Sequence, residues 1–382
     1  MRRSLAVFSI LALVAGPVAA GTPAPPAEVA NIPASLLVDM NSGRTLYARQ
    51  PDRRFLPAST AKVMTAYVAF EEMAKGRLVA RQPFTVRNET ARLWNGRGTS
   101  LYLKGGALID ADTLLHGIAT VSANDAAIVL AEGYAAEVAR WCALMNAQAE
   151  RLGMAGSHFA TPNGWPDQGA TYVTARDLVT LGEAMITRHP QLYHRYFGQK
   201  RMTWDGVTLE SHDPTVGVVR GADGIKTGHT NEAGYNFLGS AERDGRRLIL
   251  VVAGAHSEAE RAAASRALLE WGFAEWQARP LFAAGKTLAQ ARVQDGDARQ
   301  VPLVADRAVS AVLAKGETGP IALKVTYDGP LIAPIAKGAK VAELEIRAGD
   351  GPPSRLPLFA GVAVGKAGPF DRLINGVSGL FS

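Results

Sequence analysis

Three short stretches of the chain carry side chains able to transfer an acyl group. Ser59 and Lys62 stand at i and i+3 in Ser59-Thr60-Ala61-Lys62, after Pro57-Ala58 and at the expected start of a helix. Those positions share a helix face, so the Lys62 amine can reach the Ser59 hydroxyl. A serine hydroxyl is a poor nucleophile until a neighbour takes its proton. Lysine can take it only when burial and a nearby cation lower its pKa. Lys226, in Lys226-Thr227-Gly228, can supply that charge. Ser122, in Ser122-Ala123-Asn124, is expected to bridge Lys62 and Lys226 and to relay a proton to the leaving group. Asn124 offers an amide to hold Lys62 or a bound peptide. The backbone N–H groups of Ser59 and His229 would stabilise a tetrahedral oxyanion. Gly228 leaves room for its strand to approach an extended peptide, and Thr227 with a cation can bind a terminal carboxylate.

These residues need elements to hold them together. Leu36 to Asp39 and Thr45 to Tyr47 flank Asn41-Ser42-Gly43 and read as a hairpin. Ala58–Lys75, Ala111–Glu132, Val138–Leu152 and Ala175–Arg188 have the apolar spacing of helices. Tyr235 to Ala241 and Arg247 to Ala253 flank Arg243-Asp244-Gly245 as a second hairpin, and Ser257–Phe273 closes as a helix. Strands at both ends around a helical middle predict an α+β domain with one shared sheet. Beyond it, alternation in Ile321 to Tyr327 and Val341 to Ile346 predicts a small all-β domain.

Composition narrows the setting. The 382 residues carry 41 Lys+Arg and 35 Asp+Glu, a net charge of +6. That excess is too thinly spread to indicate a nucleic-acid partner. Met1 to Ala20 reads as a secretory signal: Arg2-Arg3, an apolar run from Leu5 to Ala15, then small residues through Ala20. Its removal leaves +4 over 362 residues. The expected divisions are a signal at 1–20, a linker at 21–29, a catalytic domain at 30–277, a β domain at 278–366 and a tail at 367–382. Phe370, Leu373, Ile374, Val377 and Leu380 recur at helical spacing in that tail. Its roughly 20 Å is too short to span a bilayer, leaving a helix lying on a membrane or docked on the β domain. The single Cys142 sits in a helical pattern and reads as a buried structural thiol, and no cysteine and histidine cluster has metal spacing. No cofactor is indicated.

The three motifs, in this order and context, resemble the signature of penicillin-recognising serine enzymes. The sequence is identified as a member of the D-alanyl-D-alanine carboxypeptidases, the low-molecular-mass penicillin-binding proteins. Pro57 to Thr65, Asp112 to Ala127, Asp223 to Thr230, Ala233 to Asn236 and Leu268 to Phe273 carry the resemblance. It covers about residues 30–275, and Gly329 to Pro334 extends it into the β domain. It implies a penicillin-binding, β-lactamase-like transpeptidase fold. It also implies acylation of Ser59 by a peptidoglycan stem peptide ending in D-Ala-D-Ala, with release of the last residue, and acylation by β-lactam antibiotics. Lys62 would be the base, and Arg261 would occupy the place of a carboxylate-binding arginine, or else be a solvated helix charge. The family often ends in a helix on the outer face of the cytoplasmic membrane, which implies a periplasmic enzyme peripheral to that membrane. Where relatives often have Asn-x-Asn upstream of the third motif, this chain has Ser211-His212-Asp213. That departure bears on substrate preference, and His212 reads as a surface-loop residue. A β-lactamase on the same scaffold is disfavoured by Ala123 between Ser122 and Asn124, and by the lack of Glu-x-x-x-Asn near residues 160–175. DD-endopeptidase activity stays open, and a non-catalytic wall-binding protein would need a broken motif.

Overall fold

The computed structural model describes residues 22–368. The expected signal, and the tail from residue 369 onward, lie outside the described residues. The described chain forms two compact units, residues 24–38 with 45–272 and residues 39–44 with 273 onward.

The first unit is built on a five-stranded sheet. Its spatial order is Arg44–Arg49, Ala34–Asp39, Arg246–Ala255, Gly234–Arg243 and Ala222–Thr230. Strands from the two ends of the unit thus share one sheet, as the α+β reading requires. Leu248 to Val252 are at most 1% exposed, so this strand is covered on both faces. Ala222–Thr230 lies at the sheet edge. An edge strand keeps backbone donors and acceptors free to pair with another extended chain.

Helices Lys62–Ala74, Ala111–Thr120, Asn124–Ala135, Val138–Leu152 and Ala175–Arg188 make up the helical part. Their ends follow the sequence. Asp110 and Thr174 cap the first-turn N–H groups of Thr113 and Asp177, and Gly153 closes its helix in the left-handed conformation (φ 77°). Tyr67, Phe70, Leu114, Ile118, Trp141 and Met145 are fully buried among them. Helix Glu258–Ala274 follows the last strand.

Two expected helices differ in a way that matters for chemistry. The run Ala58–Lys75 opens as a 3-10 turn, Ala58–Ala61, and becomes α-helical only at Lys62. The run Ala111–Glu132 is two helices separated by Val121-Ser122-Ala123. Ser122 lies there at φ 65°, a left-handed conformation costing a non-glycine residue about 1–2 kcal/mol. The break lifts Ser122 off any helix face. Residues without a strong sequence signal add helix Asn88–Trp94, helix Pro190–Tyr196 and a hairpin of Arg201–Trp204 with Val207–Glu210, turned at Asp205-Gly206.

The second unit is all-β. Six strands run in the order Ile321–Thr326, Lys340–Ala348, Ser354–Ala360, Gln300–Val304, Thr287–Gln294 and Leu331–Ile332, and Trp276–Phe282 pairs with Val309–Ala314. Alternate residues Ala342, Leu344, Ile346 and Ala348 of one strand face the core with Leu356, Leu358 and Ala360 of its partner.

Candidate active site

Ser59 sits on the 3-10 turn, and Lys62 opens the α-helix that follows. The Lys62 Nζ lies 2.8 Å from Ser59 Oγ. It also lies 2.7 Å from Asn124 Oδ1 and 2.8 Å from the Asn163 carbonyl. Lys62 is wholly buried. Burial, then the charge of Lys226, holds its pKa well below the ordinary lysine value, with Asp125 opposing in part. Its partners accommodate a neutral amine. A neutral amine has two N–H groups and one lone pair. Asn124 Oδ1 and the Asn163 carbonyl can only accept, so the lone pair falls to the Ser59 hydroxyl. The geometry suits a lysine that takes the serine proton.

Asn124 is held in that orientation by its surroundings. Its Nδ2 donates to the Arg97 carbonyl at 2.8 Å and its backbone N–H to the Thr99 carbonyl at 2.8 Å. The next residue, buried Asp125, accepts from Ser100 Oγ at 2.7 Å and from the N–H groups of Leu101 and Leu103. One side chain thus secures the loop that holds Asn124.

Ser122 corrects an expectation. It was to bridge the two lysines, yet its buried Oγ has no hydrogen-bond partner among the described residues. Lys62 is already fully engaged, and the Lys226 Nζ donates to the Thr227 carbonyl at 3.0 Å. The Ser122 hydroxyl is left unspent at the break between helices.

Lys226, Thr227, Gly228 and His229 lie on the edge strand, paired with Leu238, Phe237, Asn236 and Tyr235. Lys226 is buried, and desolvation, then the neighbouring Arg261 charge, lowers its pKa, while Asp213 raises it. A methyl group on Gly228 would stand 2.6 Å from the Pro57 carbonyl oxygen, 2.9 Å from the Thr60 nitrogen and 3.0 Å from the Ser59 nitrogen. The glycine therefore admits the nucleophile turn itself. Asn236 ties the two together, donating to the Leu56 carbonyl at 2.9 Å. His229 is exposed, with its ring stacked on Tyr235 at 3.9 Å.

Arg261 is no solvated helix charge: it is 3% exposed. It pairs with Glu258 at 2.8 Å, reaches the His212 carbonyl at 3.4 Å, and lies 5.8 Å from the Tyr235 ring centroid. Its Nε has no hydrogen-bond partner among the described residues. His212 is exposed, in keeping with a surface loop. Thr120, Ser122, Asp213, Lys226 and Thr227 line one cleft, and Pro57, Trp165, Asp167, Thr230 and Glu232 line another along the same edge strand.

Sequence reasoning missed Asn163, because its contribution to Lys62 is a backbone carbonyl. The Asn163-Gly164 pair was the available signal. Gly164 has φ 72°, and a methyl there would fall 1.8 Å from the Ala58 carbonyl oxygen. Cys142 is buried, and desolvation pushes its thiol up to about 11, which suits inert packing.

A serine beside a buried lysine, facing an edge strand that carries a second lysine, defines the active-serine class of penicillin-recognising enzymes. Residues 21–257 match the D-alanyl-D-alanine carboxypeptidase family, and residues 276–366 match the C-terminal domain of penicillin-binding protein 5. The chain is 34% identical over 347 residues to the D-alanyl-D-alanine carboxypeptidase DacD of Escherichia coli, covering 88% of each. Its fold is similar to penicillin-binding protein 5 of Haemophilus influenzae, with a TM-score of 0.73 and 30% identity over 91% of this chain and all of that one. It is also similar to a penicillin-binding protein of Listeria monocytogenes solved with ampicillin, with a TM-score of 0.57 and 31% identity over 63% of this chain and 97% of that one. The chain belongs to the D-alanyl-D-alanine carboxypeptidase family. It is a serine-type carboxypeptidase of cell-wall remodelling.

Proposed function

We propose that this enzyme removes the terminal D-alanine from peptidoglycan stem peptides through an ester on Ser59. The observation that carries the assignment is the Lys62 Nζ, 2.8 Å from Ser59 Oγ and bound on its other sides by two acceptors. The stem peptide pairs with the edge strand, placing its last peptide carbonyl over Ser59. Ser59 Oγ attacks that carbon while Lys62 takes its proton. The N–H groups of Ser59 and His229 hold the oxyanion. Lys62 gives the Ser59 proton to the departing amine of D-alanine, and the C–N bond breaks to leave the ester and a neutral lysine. Water then attacks the ester, Lys62 takes its proton, and Ser59 leaves with one.

Lys226, Thr227 and Arg261 bind the terminal carboxylate. A β-lactam, which carries a carboxylate beside a strained amide, acylates the same serine. The signal read in residues 1–20 and the helical spacing of the tail support a periplasmic enzyme peripheral on the inner membrane. No helix among the described residues is long and apolar enough to cross a membrane. Release of D-alanine from a Lys-D-Ala-D-Ala peptide tests the assignment. The wild type should release it and Ser59→Ala should not; release by the variant would refute the nucleophile. For the tail, deletion of residues 370–382 should move the protein from membrane pellet to supernatant, and no shift would refute membrane contact.

A further inference from the structure

On the reading that the cleft beside Lys226 holds the substrate's terminal carboxylate, one lining residue opposes its ligand. Asp213 shares that cleft with Thr120, Ser122, Ser211, Lys226 and Thr227. It stands within the Ser211-His212-Asp213 stretch. Its Oδ1 serves the chain's own turn, accepting from the Thr215 N–H and hydroxyl at 2.7 Å each and from the Val216 N–H at 3.0 Å. None of those three bonds needs a charge. Asparagine would keep all of them.

The charge acts elsewhere. It favours the protonated forms of both Lys226 and Arg261, so it lies within electrostatic reach of the cation pair. The other charged or titratable groups around that pair are Glu258, bound to Arg261, Tyr235, whose ring centroid lies 5.8 Å from Arg261, and Lys62, which feels the Lys226 charge. A carboxylate here repels an arriving carboxylate and offsets part of the attraction that brings it in. The cleft also holds neutral donors in reserve. The hydroxyls of Thr120 and Ser122 are buried with no hydrogen-bond partner among the described residues. Thr180 and Thr187, also on a helix, instead bond the carbonyls of Arg176 and Glu183 one turn back, at 3.1 and 2.8 Å.

We propose that Asp213 is a specificity-determining residue that weakens the hold of this cleft on a terminal carboxylate, leaving its hydroxyl donors to share the recognition. Weak capture raises KM without slowing the chemical step, and it lets the released D-alanine depart.

The test compares kcat and KM for a D-Ala-D-Ala peptide with a free C-terminal carboxylate in wild type, Asp213→Asn and Thr215→Val. Asp213→Asn should lower KM by roughly three- to tenfold, the effect of one like charge at a partly wet site. Its kcat should stay within about twofold, and the gain should shrink as salt is raised. Thr215→Val removes a turn bond and keeps the charge, so its KM should match wild type. An unchanged or higher KM in Asp213→Asn overturns the proposal, as does a gain insensitive to salt. So does the same fall in KM for Thr215→Val, which would assign the effect to the turn. Failure of the wild type to release D-alanine would instead sink the assignment of Ser59.

Discussion

The two buried lysines stand in regions of opposite character. Around Lys62 every position is filled: Ser59, Asn124 and the Asn163 carbonyl surround the amine, and Asn124 is fixed in turn by Arg97 and Thr99. Around Lys226 the inventory is incomplete. Among the described residues the Lys226 amine donates to the Thr227 carbonyl, while Ser122 Oγ, Thr120 Oγ1 and Arg261 Nε are buried without hydrogen-bond partners. A buried polar atom left unpaired costs about 1–3 kcal/mol. The first region is therefore organised for proton transfer before substrate arrives. The second is organised to be completed by a ligand, and a carboxylate supplies the acceptors it lacks.

The largest effect should come from breaking the completed region. Lys62→Met removes the base and should slow acylation by penicillin by at least ~10²–10⁴-fold, the usual range for a positioned general base. Stopped-flow or gel-based labelling would measure it, and a loss below tenfold would mean another group takes the proton. Gly228→Ala comes next. Its methyl would meet the Pro57 carbonyl oxygen at 2.6 Å, and backbone cannot yield as a flexible side chain can. Displacing the nucleophile turn by a fraction of an ångström should cost on the order of 10² in kcat/KM.

The incomplete region should respond differently. Arg261→Leu should raise KM for the carboxylate peptide about ten- to a hundredfold and change kcat less, since under the proposed function the group binds the part of the substrate that does not react. It should also move the alkaline limb of kcat/KM to higher pH. Arg261 is a cation that lowers the Lys226 pKa, so without it Lys226 keeps its proton further into the alkaline range. A limb that moves the other way would contradict the assigned pairing.

The smallest effect tests stability away from both regions. At the far end of the Lys62 helix, the His189 hydrogen bond, with lesser help, holds the Glu71 carboxyl down to about 2. A depressed carboxyl stabilises the fold above its unfolded value of about 4.5 and loses that contribution as pH falls toward 2. Glu71→Gln should cost about 1–2 kcal/mol at neutral pH, allowing for solvent screening, with the difference fading below pH ~4 in thermal melts. Activity per folded molecule should not change.

How much of this was legible in the sequence depended on the physical origin of each feature. The i, i+3 spacing of Ser59 and Lys62 is local, and it placed the two groups together. Period-two alternation likewise marked Val341 to Ile346, which lie in the strand Lys340–Ala348, whose burial alternates. The break at Ser122 was not legible, because Val121 and Ala123 are compatible with a continuing helix and only tertiary packing stops it. Arg261 was half legible. It falls on the same stripe as Ala264, Ser265 and Leu268, all buried, and a charged residue on an apolar stripe signals a buried partner. The distance from Lys226 to Arg261 along the chain hid their closeness in the fold, which the effect of the Arg261 charge on Lys226 reveals.

Mass spectrometry of the intact protein after exposure to penicillin G, followed by peptide mapping, tests the central claim most directly. The wild type should gain the mass of one penicillin, carried on the peptide containing Ser59, and Ser59→Ala should gain none. An adduct on another residue, or one that persists in Ser59→Ala, would contradict the assignment of Ser59 and Lys62 as the reacting pair.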